Sequence, residues 1–204
     1  MSQQYLFRLP HSARKSVTRP LFVVLHWLTY PDWADNWTRC TNPVDAVFKD
    51  LRPVPASYHW IHHNGTPYEI VPWKVTAWHA GGSEGIKDAN EHTIGLAFAT
   101  PSPSQNPRGI EGEVQAPFYW RAKGRTENWW YPPVPSPQAV DAAVDYILRC
   151  RREGAQIAGV YGHHQIKTQK NDIKNMDPQF AVNTVTIEQV RDRMMAPMEP
   201  GGQV

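Results

Sequence analysis

The sequence predicts an α/β domain: a central mixed β-sheet flanked by helices, with a long Pro/Trp-rich loop insertion. Three observations carry that prediction. "PLFVVLHW" (20–27), "HTIGLAFAT" (92–100) and "IAGVYG" (157–162) are short apolar or β-branched runs of the kind that form buried strands. "ASYHWIHHNGTPYEIVPW" (56–73) reads as two strands joined by a turn at Asn64-Gly65, a strong hairpin signal. "SPQAVDAAVDYILRCRREGA" (136–155) has helical periodicity, with Val140, Ala143, Val144, Ile147 and Leu148 on one side.

Taken in order, residues 1–19 are polar and are expected to form a surface arm. The run 20–27 is a strand expected to finish at His26. "NPVDAVFKDLR" (42–52) opens with an Asn cap and a proline at the first helical position, which predicts a helix. Residues 101–135 combine Pro, Gly and aromatics with no visible helical or strand period, so a functional loop or lid is expected. The helix at 136–155 has a Ser cap, a first-turn proline and Gly154 as its stop. "TIEQVRDRMM" (186–195) predicts a last helix, with Thr186 and Gln189 at capping-box spacing. The organisation expected is an arm (1–19), one domain (20–195) carrying the 101–135 insertion, and a loose tail (196–204).

Composition limits the function classes. The 204 residues are 41% hydrophobic and 20% charged, an ordinary globular balance in a chain long enough for a real core. A net charge of +2 gives no reason to expect nucleic acid as a partner. No run of about 18 apolar residues predicts a membrane span. "MSQQYLFRLPHSARKS" lacks a long apolar stretch, so synthesis in the cytoplasm without a signal peptide is expected. Nineteen prolines predict much ordered loop, and nine tryptophans exceed one core's needs, so some are expected in a groove where flat rings stack on sugars or peptides. Cys40 and Cys150 form no CxxC, and a disulfide between them is left open.

The histidines carry the chemistry. His26, the pair His163 and His164, and His59 are expected at strand ends or in the hairpin, where side chains from distant segments converge. Imidazole is a common zinc ligand, and a hydrolytic zinc usually has three protein ligands plus water. Two histidines and the carboxylate of Asp177 complete such a set; the competing reading is a rim of hydrogen-bonded, half-exposed histidines.

The order "FVVLHW", "SYHWIHHNGTPYEIVP", "AWHAGG" (77–82), "TIGLAF", "GHHQI" and "MDPQF" resembles the zinc-dependent N-acetylmuramoyl-L-alanine amidases of type 2, a superfamily that includes phage lysozyme-type amidases and peptidoglycan recognition proteins. The resemblance spans roughly residues 20–195. It implies a mixed sheet, a Zn2+ ion, and a peptidoglycan or muropeptide substrate. The implied metal ligands are His26, His163 (with His164 competing) and Asp177. Tyr58 matches a tyrosine beside the zinc that donates to the oxyanion, or else it is a buried strand tyrosine. His79 of "AWHAGG" is implied to touch substrate or the metal-bound water, or to hold the glycine turn. Trp78, Trp129 and Trp130 are expected to bind substrate, with Trp120 also in the groove-walling loop. Two departures stand out. Ala97 occupies the position of a glutamate general base in cytosolic relatives, and Asn175 that of a catalytic lysine; Lys174, one step earlier, is expected as the catalytic lysine through a different loop path, with Lys170 or a plain solvated charge at Lys174 as the alternatives.

The function so implied is hydrolysis of the amide between N-acetylmuramic acid and L-alanine, by a phage endolysin, an antibacterial effector or a recycling enzyme, acting on the cell wall after release or export in the first two cases. The alternatives are a non-catalytic peptidoglycan-binding module of the same fold and an unrelated zinc amidohydrolase with a closed pocket.

Overall fold

The computed structural model describes residues 11–13, 19–30, 57–63, 65–80, 88–101, 104–107, 109, 111–120, 124–131, 135–166 and 184–195. The helix expected over 42–52 and the tail 196–204 lie outside them. The elements are β1 (His11–Ala13), β2 (Leu21–Tyr30), β3 (Trp60–His63), β4 (Thr66–Glu69), β5 (Val75–Ala77), α1 (Ala89–His92), β6 (Thr93–Pro101), β7 (Val114–Trp120), β8 (Arg125–Tyr131), α2 (Pro137–Arg152), β9 (Ile157–Gly162), α3 (His163–Ile166) and α4 (Thr184–Met195).

The central sheet is mixed and five-stranded, in the order β4-β3-β6-β2-β9. Strands β3, β6, β2 and β9 run parallel, and β4 adds antiparallel to β3 through the turn at Gly65, whose φ of 76° suits glycine. Side chains alternate along each strand, so the sheet has two distinct faces. One face presents Val23, Leu25, Ile94, Leu96, Phe98, Trp60 and Val160 to α2 and α4 and forms the main core. α2 begins where Ser136 caps the Ala139 amide at 3.2 Å, and it buries Val140, Ala143, Val144, Ile147 and Cys150. Cys150 is a buried free thiol. Arg191 of α4 donates to the Val160 carbonyl and ties that helix to β9. The second face carries a smaller cluster, Val24, Ala80, Ala89 and Ile166.

Three expectations are corrected, and the arm gains a short strand. β2 does not end at His26 but runs on to Tyr30. Thr186 is not a cap, because α4 starts at Thr184. Within the arm, His11–Ala13 pairs antiparallel with Val75–Ala77. The stretch 101–135, read as lacking a strand period, holds the antiparallel ribbon β7–β8, separate from the central sheet. Pro117 inside β7 hides that period, and a two-stranded ribbon tolerates proline where a central strand does not. Among the described residues, no helix is long and apolar enough to cross a membrane.

Candidate active site

The site grows from the second face of the sheet. His26 faces it, in register with Ala97 on β6, which in turn pairs with Ile61 on β3. β9 pairs with β2 only as far as Gly162 opposite Leu25. The chain then turns into α3, and His163 arrives beside His26. Gln165 holds this turn by accepting the Gly162 amide at 2.8 Å, the reach-back half of a capping box. The rings of His26 and His163 lie 4.5 Å apart between centroids. His26 is buried and His163 half-buried. Both His163 and His164 belong to a helical turn, so strand alternation does not choose between them; the His164 side chain lies outside what is described.

Tyr58 and His79 complete the cluster. Ser57 clasps the two segments, donating its amide to the Trp78 carbonyl and accepting the Trp78 amide on Oγ, both at 2.8 Å. This sets the Tyr58 ring 5.0 Å from His26, and burial pushes its phenol up to about 12. Tyr58 is therefore a protonated donor across the neutral range. Asn90 Oδ1 accepts the amides of both His79 and Ala80, at 2.9 and 2.8 Å. The His79 ring shares one hydrogen bond with His26 Nε2 (2.9 Å) and another with the Thr93 hydroxyl (3.1 Å). Both of its nitrogens are thus engaged by protein. Gly95 makes this seat possible, since a Cβ there would stand 2.5 Å from Cγ of His79.

His59 is no part of the site. It is fully buried, accepts the Gly95 amide on Nδ1 and donates from Nε2 to the Val75 carbonyl, both at 2.9 Å. Trp78 is 42% exposed. Trp129 and Trp130 are neighbours on β8 and leave opposite faces of the ribbon, so a single groove takes one of them. Asp177 and Lys174, the expected third ligand and catalytic lysine, lie outside the described residues, as does Lys170. Among the described residues, no three side chains of the His, Cys, Asp or Glu type form a metal-binding group. The two imidazoles nonetheless fit zinc in type and placement. His163 Nε2 is enclosed and takes no hydrogen bond from the described residues, while its ring packs against His26.

Sequence reasoning missed Ser57, Asn90, Thr93 and Gly95. Only Gly95 left a signal: an isolated glycine inside a strand pattern marks a close approach.

The fold is thus an α/β domain whose mixed sheet gathers two histidines and a tyrosine on the face away from its main core. The chain belongs to the N-acetylmuramoyl-L-alanine amidase family, whose model matches residues 16–175 and so takes in His26, Tyr58, His79 and His163. No curated protein matches the chain. Among solved structures, the chain is similar to a selenomethionine derivative of AmpD, with 16% identity over 89% of each chain and a TM-score of 0.53. It is also similar to AmpDh3 from Pseudomonas aeruginosa in complex with anhydromuramic pentapeptide, with 18% identity over 78% of this chain and 56% of that one and a TM-score of 0.48. Human PGRP-IβC in complex with glycosamyl muramyl pentapeptide shares 14% identity over 80% of each chain, with a TM-score of 0.41. At 16% identity the likeness to AmpD is one of fold.

Proposed function

We propose that the chain is a zinc-dependent amidase that hydrolyses the amide between N-acetylmuramic acid and L-alanine in peptidoglycan. The observation that carries this reading is the meeting of His26 and His163 at 4.5 Å, beside Tyr58, in a member of the amidase family. His26 and His163 would hold the ion, with Asp177 as the third ligand. When bound there, zinc would supply Lewis-acid polarisation of the scissile carbonyl and a nucleophilic water near neutral pH. Tyr58, beside His26, is placed to donate to the carbonyl oxygen as negative charge builds there. His79 holds His26 in place through the 2.9 Å hydrogen bond. Lys174 is assigned a second contact to the oxyanion, and exposed Trp78 a stacking surface for sugar or stem peptide.

A second reading, a module that grips peptidoglycan without cutting it, is favoured by one observation. The position in register with His26 is the fully buried Ala97 rather than a carboxylate. Digestion of purified sacculi with and without a chelator, followed by mass analysis, separates the two. Chelator-sensitive release of stem peptides is expected, and His26→Ala, His163→Ala and Asp177→Ala should each lose both zinc and release. Sacculi that are bound with every stem peptide still attached would establish the binder, and full release by the triple variant would end the zinc reading.

A further inference from the structure

We propose that Thr93 is a positioning residue for the metal-binding edge of His26: it fixes the tautomer of His79, and His79 fixes that of His26. The inference rests on the zinc reading above. Thr93, the first residue of β6, is fully buried. Its hydroxyl lies 2.5 Å from the Ala89 carbonyl and 3.1 Å from His79 Nε2. A carbonyl oxygen only accepts, so the single hydroxyl proton goes to Ala89. The hydroxyl oxygen therefore meets His79 as an acceptor, and His79 carries its N–H on Nε2.

The lone pair of His79 then sits on Nδ1, 2.9 Å from His26 Nε2. That bond also needs one proton, and His26 supplies it. His26 accordingly carries its N–H on Nε2 and its lone pair on Nδ1. Each step has one direction because the chain is anchored on a group that cannot donate. A ligating histidine is commonly set by the hydrogen bond its other nitrogen makes; here the setting passes through a second imidazole to a threonine. The ring that relays it is held by the Asn90 contact to its backbone amide and by the space at Gly95. His26 thus addresses the metal through Nδ1. Without the Thr93 hydroxyl, nothing in this relay dictates which nitrogen of His79 is protonated. The His26 bond can then reverse and put a proton on the ligating edge.

The test uses the full chain, with long-range ¹H–¹⁵N correlation of the imidazoles in zinc-free protein and zinc affinity by chelator competition. Zinc-free wild type is expected to show the Nε2–H form for both His79 and His26. Thr93→Val should give mixed tautomers and weaken zinc about 10- to 100-fold, while Thr93→Ser, which keeps the hydroxyl, should retain wild-type tautomers and affinity. A purely packing role would not be rescued by serine, which lacks the methyl group. Wild type with His79 as Nδ1–H, or Thr93→Val with wild-type zinc affinity, overturns the inference and leaves the zinc reading intact. Wild type that binds no zinc overturns the zinc reading and the metal role of Thr93 together. The tautomers of zinc-free wild type are read directly, so the test stands even where Thr93→Val does not fold.

Discussion

Replacing Gly95 with alanine puts a methyl group where the His79 ring lies. An ideal Cβ would stand 2.5 Å from Cγ, 2.6 Å from Nδ1 and 2.7 Å from Cδ2, where ordinary contact begins at 3.4 Å, so the ring must withdraw by about 0.9 Å. It has little room to do so. The atoms in the way belong to the root and body of the ring rather than to a flexible tip, and the His79 amide is held by Asn90. Withdrawal by that amount carries at least one of the ring bonds, 2.9 Å to His26 and 3.1 Å to Thr93, toward or beyond the limit of hydrogen-bond range. Overpacking of this kind costs about 1–3 kcal/mol. A buried polar group left unsatisfied costs about 1–3 kcal/mol more. Taking the two as partly overlapping, a total of about 2–4 kcal/mol lowers Tm by roughly 5–15 °C in a chain of this size. Thermal melts by circular dichroism measure it, with zinc affinity as the second readout. Gly159→Ala is the control: its nearest contact is 3.3 Å, to the outer edge of the Tyr161 ring, which can swing away. A Gly95→Ala melt no lower than that of Gly159→Ala would refute the seating of His79 described above.

Three further expectations follow from the same geometry. Tyr58→Phe should lower kcat about 10²- to 10³-fold at unchanged zinc affinity; steady-state kinetics on a defined muropeptide and chelator competition decide it. His63 is pushed down to about 4, first by burial and then by His62, from an ordinary value of 6.5. The unfolded chain takes up that proton before the folded chain does, so the stabilisation is whole above pH 6.5 and disappears as pH falls through 4, by at most about 1.4 kcal/mol per pH unit. His63→Gln should flatten the acid limb of a urea-midpoint curve over that window, and an unchanged limb would sink the assignment. Burial pushes the Cys150 thiol up to about 12, so in a Cys40→Ser background a thiol reagent should label Cys150 only as fast as the protein opens; fast labelling of the folded protein would contradict its place in the core.

Strands and the long helix were legible because their signals are local. Short apolar, β-branched runs marked β2, β6 and β9, Asn64-Gly65 marked the hairpin, and Ser136-Pro137 marked the start of α2. The ribbon at β7–β8 was not legible, because its pairing is set by the partner strand and Pro117 breaks the pattern in the sequence itself. Placing His26 beside a strand end was right for the wrong strand: β2 continues past it, and the edge is made by β9 stopping opposite Leu25. His59 shows the limit of residue type. It reads like a site histidine, yet its two backbone partners, Gly95 and Val75, make it a core hydrogen-bonding post. Nothing in the chain near residue 59 announces that, since both partners come from later segments.

The two faces of the sheet place different demands on sequence. On the face covered by α2 and α4, Val23, Leu96, Ile147 and Met194 need only fill space, and a volume-conserving exchange is tolerated. On the other face each residue is fixed by specific neighbours: Gly95 by a ring, Thr93 by a carbonyl and an imidazole, Asn90 by two amides, Ser57 by the backbone N–H and C=O of Trp78. A helix-face substitution shifts stability by a graded amount. A substitution at Thr93, Asn90 or Gly95 disturbs the seat of His79, and the change passes through the His79 hydrogen bond to His26. Zinc affinity should therefore follow the site-face residues even where Tm barely moves, and Tm should follow the helix-face residues even where zinc affinity stays constant.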